Sequence, residues 1–455
     1  MTASKSEIPR AAIDALLERE RLRFQREHPA SGRAHAGNEA HWLHGVPMHW
    51  MHDWGTPFPI VVREARGAEI VDVDGHRYAD FCLGDTGAMF GHSPLPVARA
   101  LATQAARGLT TMLPSEETGA VGAALERIFR LPFWQITQTA SDANRSVIRW
   151  ARGITRRPLI LVFNGCYHGM VDDACVRLEN GRTIASPSLI GQVHDLASGT
   201  VALEFDDLDG VERALKTRNV ACVLCEPALT NIGMVLPQPG LHNALRTLTR
   251  KHGTLLAIDE THTISTGLGG YSRVCGLEPD FFIAGKAIAG GFPCAVYGFT
   301  AELRERMLGV LAQKAPGHSG LGTTLSANAM AIAALNATLN EVMTPSSYTH
   351  MIDHAAMLED ALEEALRIEG LPVHVTRIGA RLELMFKAEP PRNAIEAAAG
   401  LNEELSLALR LFLANRGVLI TPFHNMMLTS PATTRAHLDA LRIGIAEWLR
   451  ELKHK

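Results

Sequence analysis

The chain has 455 residues, enough for two or three domains, or for one large α/β domain with a smaller second domain. Hydrophobic residues make up 46% and charged residues 20%, as in ordinary globular proteins, which excludes disordered, collagen-like and coiled-coil proteins. The formal net charge of -4 provides no excess of positive charge for nucleic acid or an anionic membrane. We therefore expect chemistry on small molecules.

The first residues, MTASKSEIPR, lack the apolar core of a secretory signal, and no apolar run approaches the roughly 18 residues of a membrane-spanning helix. Seven cysteines, an odd number, do not suggest a disulfide framework. These features predict a cytoplasmic protein. Cys222 and Cys225 have CxxC spacing, but their place in the apolar run VACVLCEP favours a buried strand over a metal or redox pair.

In chain order, residues 7–28 carry apolar side chains at helical spacing among charges, which predicts a surface helix. The stretch from about 30 to 60 is rich in His, Trp, Gly and Pro and is expected to form loops. Two short strands are predicted on either side of the turn Asp74-Gly75.

Beyond residue 95, short apolar runs alternate with helical or looped segments. These runs are ITQTA, LILVF, ACVLC, LLAID, FFIAG and AVYGFT. Such alternation predicts a mostly parallel sheet covered by helices, which binds ligands at the carboxyl ends of its strands.

The sequence after residue 326 predicts a smaller α+β domain. Helices are expected in SANAMAIAALNATLNEVM, MIDHAAMLEDALEEALRIEG and RAHLDALRIGIAEWLRELKHK, and a strand pair around VHVTRIGARLELMF. We thus predict an α/β protein in three parts: an N-terminal segment at 1–94 that packs with the small domain, a large domain at 95–326 and the small domain at 327–455.

Polar residues follow two of the apolar runs. Asp259 ends LLAID, and Lys286 follows FFIAG, just before the glycines of AIAGGFP. Desolvation of an amine at such a strand end favours its neutral form, which attacks aldehydes, whereas a lysine that simply reaches solvent is the alternative. A lysine, a carboxylate, an aromatic ring and an anion-binding turn are the parts that a pyridoxal phosphate site needs.

Two further segments provide a ring and a turn. NGCYHGM, after LILVF, places Tyr167 and His168 at a strand end between glycines, where Tyr167 either stacks on a ligand ring or packs as an ordinary aromatic. The segment ITQTASDAN leads from a strand into a helix through the small residues 139–141. Free N–H groups at that helix N-terminus favour a phosphate, and an ordinary N-cap by Ser141 or Asp142 is the alternative.

The motifs TASDAN, GCYHG, CEP, AIDETHT, GKAIAGGFP and GTTLSAN, in this order, resemble the class III aminotransferases of fold type I. GCYHG and TLSAN resemble glutamate-1-semialdehyde aminomutases in particular. The stretches IDALLERERLRFQREHPAS and DVDGHRYADF are similar to bacterial β-phenylalanine aminotransferases. The resemblance extends roughly from residue 13 to 450 and implies pyridoxal 5'-phosphate as the cofactor.

Position by position, the resemblance implies Lys286 as the Schiff-base lysine, Asp259 as the partner of the pyridine nitrogen and Tyr167 as the stacking ring. The further cofactor-binding residues that it implies are Ala140, Ser141, His168, Glu226 and Thr324. In the family, a threonine of the motif matching GTTLSAN reaches the phosphate of the neighbouring subunit. This implies a homodimer with shared active sites through Thr324, with Thr323 as the adjacent alternative.

Two stretches that carry carboxylate-binding arginines in these relatives, here HGVPMHWMHDW and TPFHNMM, contain none. Arginine is the usual side chain for binding a carboxylate in a bidentate manner. We therefore expect a pocket for an apolar or uncharged amine. Its expected residues are His49, Trp50, Trp54, Phe423 and His424.

The first of these stretches belongs to a histidine-rich loop that contains His41, His44, His49 and His52. The loop packs against the sheet, lines the substrate pocket or binds a metal. No accompanying ligand pattern supports a metal, so we predict none.

Together these features predict a pyridoxal-phosphate-dependent aminotransferase that moves an amino group between an amine or amino acid and a keto acceptor. An aminomutase, racemase or lyase on the same scaffold is an alternative, because the pocket decides the fate of the common intermediate. A sensor or interaction protein without turnover is a further alternative, against which the intact pair of Lys286 and Asp259 argues.

Overall fold

The computed structural model of the protein describes residues 10–453. Its α-helices are α1 (Arg10–Glu27), α2 (Pro29–Asn38), α3 (Leu95–Ala105), α4 (Thr118–Phe129), α5 (Ala140–Thr155), α6 (Leu208–Lys216), α7 (Leu241–His252), α8 (Gly270–Val274), α9 (Ala301–Gln313), α10 (Ala329–Ala337), α11 (Pro345–Glu369), α12 (Ala394–Ala398), α13 (Glu403–Ala414) and α14 (Arg435–Lys453).

The strands of this structure are short, with two to six residues each. They are β1 (Val62–Arg66), β2 (Glu69–Asp72), β3 (Arg77–Asp80), β4 (Phe133–Thr137), β5 (Leu159–Phe163), β6 (Val176–Glu179), β7 (Arg182–Ala185), β8 (Thr200–Leu203), β9 (Val220–Cys225), β10 (Leu255–Asp259), β11 (Phe281–Ala284), β12 (Ala295–Phe299), β13 (His374–Ile378), β14 (Arg381–Met385), β15 (Val418–Leu419) and β16 (Met426–Leu428).

The described chain divides into two compact units. Unit 1 contains residues 10–94, 346–390 and 400–453, and unit 2 contains residues 95–345 and 391–399. Each unit has its own hydrophobic core.

Unit 2 contains a seven-stranded sheet in the order β4-β12-β11-β10-β9-β5-β8. The strands run parallel except β12, which is antiparallel to both of its neighbours. Strands β9, β10 and β11 are buried along their whole length, as expected for apolar runs in a sheet whose faces are covered. The predicted mostly parallel sheet is therefore confirmed, with a strand at each of the six apolar runs, although β4 ends at the second residue of ITQTA and β8 was not predicted.

Helix α5 packs on the seven-stranded sheet through a stripe of apolar side chains. Ala143, Val147 and Ala151 recur every four residues, and all three are fully buried. This stripe lies on one face of a helix and packs α5 against β9, β11 and β12. The helix thereby begins next to the strand ends that carry the polar residues.

Unit 1 combines helices with two small sheets, ordered β1-β2-β3-β15 and β13-β14-β16. The predicted strand pair around VHVTRIGARLELMF is confirmed as β13 and β14, which are antiparallel. The core of the unit is formed by apolar side chains from α1, α11, α13 and α14 together with these strands.

The prediction for residues 30–60 was wrong at its start, because residues 29–38 form α2. This helix has little apolar periodicity of its own. It is held by Asp74, whose carboxylate accepts hydrogen bonds from the N–H groups of Ala30 (2.6 Å) and Ser31 (2.9 Å). Asp74 thus satisfies the free N–H groups at the helix start from a distant turn, which local sequence does not reveal.

The sheet around the Asp74-Gly75 turn has more strands than expected. The two predicted strands are β2 and β3, and β1 pairs with β2 across a turn at Gly67, whose φ is +59°. In unit 2, the hairpin of β6 and β7 was not predicted, although its turn Asn180-Gly181 has the positive φ angles that this dipeptide favours.

The predicted helices at both ends of the chain are present where the structure describes them. Residues 7–9 of the first and 454–455 of the last lie outside the described residues. None of the helices within residues 10–453 combines the length and hydropathy that a membrane crossing requires. Cys222 and Cys225 lie fully buried in β9, as the strand interpretation predicts, and both are free thiols.

Candidate functional site

Lys286 follows β11 in unit 2, at the start of a short 3₁₀ turn. Its φ of +45° is left-handed, a conformation that non-glycine residues adopt rarely and mainly at functional sites. The preceding residue, Gly285, lies so close to α5 that a Cβ there would be only 2.8 Å from Cβ of Ala140. The lysine is thus fixed beside the N-terminus of α5.

Asp259 ends β10, the strand next to β11, and is almost completely buried. Its Oδ2 accepts hydrogen bonds from Asn144 Nδ2 (2.8 Å) and from His168 Nδ1 (2.9 Å). Its Oδ1 accepts from the N–H (3.1 Å) and the hydroxyl (2.6 Å) of Thr261. Burial alone would raise the pKa of this carboxyl, but the His168 contact and the other donors hold it below its usual value.

His168 is buried against Asp259. Burial opposes protonation of its ring, but neighbouring Cys166 and the hydrogen bond to Asp259 outweigh burial and raise the pKa of His168 well above its ordinary value. Asn144 donates both to Asp259 and to the carbonyl oxygen of His168 (3.1 Å), so it ties α5 to the loop after β5. Together these residues hold a negative charge in a buried place.

A second buried group lies beside Lys286. Its Nζ contacts Nε2 of His262, whose Nδ1 lies 2.8 Å from the hydroxyl of Thr230. That hydroxyl donates to Oε2 of Glu226 at 2.6 Å. Our sequence prediction included Glu226 but missed Thr230 and His262. His262 stands three residues after Asp259 in AIDETHT, and a titratable residue so close to a functional strand end was the available signal.

The turn between β4 and α5 is the predicted phosphate site. Thr139 caps the helix, because its side chain accepts from the N–H of Asp142 at 3.2 Å. The alternative N-cap by Ser141 or Asp142 was therefore wrong. Ser141 Oγ accepts from the N–H of Met170 at 3.0 Å, and a hydroxyl that accepts still has its proton to donate. The first N–H groups of α5, including that of Ala140, have no partner within the helix, which makes this helix N-terminus suitable for binding an anion.

Tyr167 lies in the loop after β5 and is 54% exposed. Its N–H donates to Oε1 of Glu226 at 3.1 Å, which joins this loop to the end of β9. The residue is thus about half exposed, and its backbone anchors it to the end of β9.

Thr324 lies in an exposed loop before α10. With Thr323, Trp134 and Gln135 it lines a cavity of about 800 Å³ in unit 2. The hydroxyl of Thr323 donates to Gln138 Oε1 at 3.1 Å.

The predicted substrate residues lie in unit 1. Trp50 and Phe423 meet edge to face, with ring centroids 6.1 Å apart. His424 is buried, and its Nδ1 lies 2.8 Å from Oε2 of Glu383. Trp54 packs on the small cluster around Tyr78. His49 belongs to a short exposed 3₁₀ turn.

The histidine-rich loop does not gather ligand atoms. Among the described residues, the one group with metal-binding spacing is His28, Asp72 and His76, outside that loop. Both ring nitrogens of His28 already have partners, the carbonyl oxygen of Phe24 (2.9 Å) and the hydroxyl of Tyr78 (2.8 Å). This group is explained by its hydrogen bonds.

The residues of unit 2 fit pyridoxal phosphate by their chemistry. Lys286 supplies an amine that is able to bond the cofactor's aldehyde, and Asp259 supplies a buried carboxylate for a pyridinium nitrogen. The α5 N-terminus supplies donors for a phosphate, and the close approach of Gly285 and Gly169 to this helix keeps that turn compact.

Comparisons with known proteins agree with this fit. The sequence profile of the family described as aminotransferase class-III matches residues 50–446. Glutamate-1-semialdehyde 2,1-aminomutase 1 of Bacillus cereus (strain G9842) is 33% identical over 393 residues, which cover 84% of this chain and 88% of that protein.

Solved structures extend the similarity to almost the whole chain. A glutamate-1-semialdehyde aminomutase from Pseudomonas aeruginosa PAO1 is 47% identical, with a TM-score of 0.95 and coverage of 98% of this chain and 99% of that chain. A lysine-to-alanine variant of that enzyme is solved in complex with PMP. The β-phenylalanine aminotransferase from Variovorax paradoxus is 25% identical, with a TM-score of 0.85 and coverage of 96% and 97%.

Proposed function

The chain belongs to the class-III aminotransferases, pyridoxal-phosphate enzymes of fold type I, and from this premise we propose that it moves an amino group between an amine or amino acid and a keto acceptor. The observation that carries the proposal is the arrangement in unit 2 of Lys286 beside His262, with the buried Asp259 at the end of the neighbouring strand. An amine and a permanently ionised carboxylate are the two groups that this chemistry requires of the protein.

When bound, pyridoxal phosphate holds the substrate's amino group and takes up the electrons of the bond that breaks at the adjacent carbon. Asp259 keeps the pyridine nitrogen protonated, because its own charge is maintained by donors to both oxygens. Lys286 first anchors the cofactor and, once displaced by the incoming amine, moves the proton at the reacting carbon as general base and acid.

The other residues of unit 2 orient the cofactor in this proposal. Ala140 and Ser141 bind the phosphate, Tyr167 stacks on the ring, and Glu226 anchors the loop that carries Tyr167. His168 acts through Asp259, which it holds in its charged form.

A second candidate is an aminomutase, which moves the amino group within one molecule. The similarity to the Pseudomonas aeruginosa aminomutase over almost the whole chain favours it. An aminotransferase needs a keto acceptor for every turnover, whereas an aminomutase needs none. The same residues serve both reactions, so the substrate pocket decides between them.

We propose a homodimer in which Thr324 contributes to the phosphate site of the partner subunit. The exposed loop of Thr324 and the large cavity that it lines support this assignment. A cytoplasmic location is proposed because the seven cysteines are free thiols, as in proteins of reducing compartments.

We propose that the substrate contacts Trp50, Trp54, Phe423, His49 and His424, and that it is an uncharged amine. Three arginines that could otherwise bind a carboxylate each have a hydrogen-bond partner. Arg63 donates to the carbonyl oxygen of Val73, Arg77 pairs with Glu69, and Arg273 donates to the carbonyl oxygen of Ile128.

The test is a single-turnover assay of the holoenzyme with a panel of amines, α-amino acids and β-amino acids, including glutamate 1-semialdehyde, each without a keto acceptor. Conversion of the cofactor to its amino form, reversed by adding a keto acid, supports an aminotransferase. Multiple turnovers of one compound without acceptor identify an aminomutase when the product carries the same amino group on a different carbon. No change in the cofactor's visible absorbance with any compound contradicts both.

A further inference from the structure

Four polar side chains of unit 2 form a continuous hydrogen-bonded line that ends at Lys286. Nζ of Lys286 contacts Nε2 of His262, Nδ1 of His262 lies 2.8 Å from Oγ1 of Thr230, and that oxygen lies 2.6 Å from Oε2 of Glu226. The side chains of Glu226, Thr230 and His262 come from residues that are at most 5% exposed. Because these residues are shielded from solvent, the shortest path for a proton to or from each group leads to its hydrogen-bonded neighbours in the line.

The single proton of the Thr230 hydroxyl fixes the direction of these bonds. When Glu226 is ionised, Thr230 donates to it, so Nδ1 of His262 carries a proton and Nε2 accepts from Lys286. When Glu226 is protonated, it donates to Thr230, Thr230 donates to Nδ1, and the proton of Nε2 points to Lys286. The line therefore has two arrangements that differ by one proton at each end.

We propose, on the basis of the proposed function, that Glu226, Thr230 and His262 form a proton relay that delivers a proton to Lys286 and takes it back. In the forward direction, Oε2 of Glu226 gives its proton to Oγ1 of Thr230. Thr230 gives its own proton to Nδ1 of His262, and Nε2 of His262 gives its proton to Nζ of Lys286. Glu226 becomes a carboxylate, Lys286 becomes an ammonium group, and His262 changes tautomer.

The surroundings of Glu226 make its protonated form accessible. Burial raises the pKa of Glu226, and the charge of Asp259 acts in the same direction. Nearby His168, the Thr230 hydroxyl and the N–H of Tyr167 act in the opposite direction and keep the ionised form accessible as well. The net effect is a raised pKa, which favours the protonated carboxyl from which the relay delivers its proton.

In this relay His262 has a direct catalytic role, because its ring contacts the reacting amine of Lys286. Thr230 and Glu226 act on the amine only through His262. This explains why three polar side chains are buried together where apolar packing would be more stabilising. It also provides Lys286 with a proton source that does not require water to enter the site.

The relay is tested in the holoenzyme with hydroxylamine, which releases the lysine from pyridoxal phosphate whatever the natural substrate. The pH is set above the point at which the lysine–cofactor nitrogen loses its proton, so that release yields a neutral amine that must take up a proton. Infrared difference spectra follow the carbonyl band of a protonated carboxylic acid, while visible absorbance follows the release itself. The carbonyl band of protonated Glu226 is identified as the band that the Glu226→Gln variant lacks. In the wild type, this band should disappear at the same rate as Lys286 is released from the cofactor. Release without any change in this band would overturn the relay, whereas absence of cofactor or of release would contradict the proposed function instead.

Two variants of Thr230 and one control variant of the nearby Ser265 distinguish proton transfer along the line from a structural effect of the substitution. Thr230→Val keeps the shape but removes the hydroxyl, and should slow the loss of the band roughly tenfold or more relative to release. Thr230→Ser should restore the rate to within about threefold. Ser265→Ala is the matched control, because the Ser265 hydroxyl donates to the carbonyl oxygen of the same histidine (2.9 Å) but lies outside the line.

Equal slowing in Ser265→Ala and Thr230→Val, or no rescue by Thr230→Ser, would overturn the proposal. Glu226→Gln is an independent variant that leaves Thr230 intact. In this variant the freed Lys286 must take its proton from solvent, so no change in the carboxylic acid band accompanies release. The pH change of the solution on release, measured with an indicator dye, should be larger than in the wild type. An unchanged pH signal would also contradict the relay.

Discussion

Nδ1 of His168 lies 2.9 Å from Oδ2 of Asp259, and both side chains are buried. Cys166 and the Asp259 contact both raise the pKa of the histidine, and the His168 contact in turn lowers the pKa of the carboxyl, so each partner of the pair stabilises the charge of the other. Asp259 therefore remains ionised although it is buried.

Asp259→Asn should reduce turnover a hundredfold or more, because the amide carries no charge to keep the pyridine nitrogen protonated. The side-chain NH2 group of the introduced asparagine would also be placed against hydrogen-bond donors that it cannot accept from, since Asn144, His168 and Thr261 all donate to Asp259. The free energy of unfolding should therefore decrease by about 1–3 kcal/mol. Steady-state kinetics and denaturant unfolding check both effects, and near-normal turnover would remove Asp259 from its proposed role.

The His168–Asp259 pair should make stability depend on pH in a defined window. Because the folded pKa of His168 is raised, its contribution is complete below the ordinary value of 6.5 and is lost as the pH rises through the folded pKa. The lowered pKa of Asp259 gives a contribution that is complete above 3.8 and lost as the pH falls through the folded pKa. Stability should therefore decrease as the pH is raised above 6.5.

This decrease is measured by denaturant unfolding at a series of pH values. His168→Gln, which does not titrate, should lack the alkaline decrease. His242→Gln is the control, because burial lowers the pKa of His242 and its contribution is lost in the acid direction. Parallel curves for wild type and His168→Gln would contradict the charged pair.

Lys286 should be the lysine that bonds the cofactor, as its position beside the α5 N-terminus and His262 indicates. Borohydride reduction of the holoenzyme followed by peptide mapping should label Lys286 alone. Lys286→Ala should bind cofactor without covalent labelling and lose all turnover. The surface residue Lys251, paired with Glu212, is the internal control, and label on any lysine other than Lys286 would refute the assignment.

Thr324→Ala should weaken cofactor retention by roughly tenfold, the effect of one lost hydrogen bond to a charged group. Thr323→Ala is the matched control, because the hydroxyl of Thr323 donates to Gln138 instead. Equilibrium dialysis of the cofactor and sedimentation provide the measurements. A fully active monomer at micromolar concentration would contradict a site shared between subunits.

The pocket should prefer an uncharged arylalkyl amine over the matching β-amino acid. The edge-to-face pair of Trp50 and Phe423 offers an aromatic wall, and a buried carboxylate without a cationic partner costs several kcal/mol. The measurement is kcat/KM for the two compounds, and Phe423→Ala should lower it for the amine. A hundredfold preference for the β-amino acid, about 2.7 kcal/mol, would reveal a carboxylate-binding residue that we have not identified.

Sequence alone determined six of the seven strands of the large sheet, all except β8, and the strand ends on which Asp259 and Lys286 lie. This was possible because a strand buried on both faces must be a short apolar run, and because parallel strands place their carboxyl ends at one edge. The turn before α5 was predictable for the same reason, although the capping residue proved to be Thr139.

Only the tertiary structure decided which polar residues meet. Helix α2 depends on Asp74, more than thirty residues away, and no local pattern reports such a cap. The line from Glu226 through Thr230 and His262 to Lys286 joins the ends of three strands. Hydrogen bonds between distant segments depend on how the strands are ordered and paired, and this information is absent from the spacing of residues along the chain.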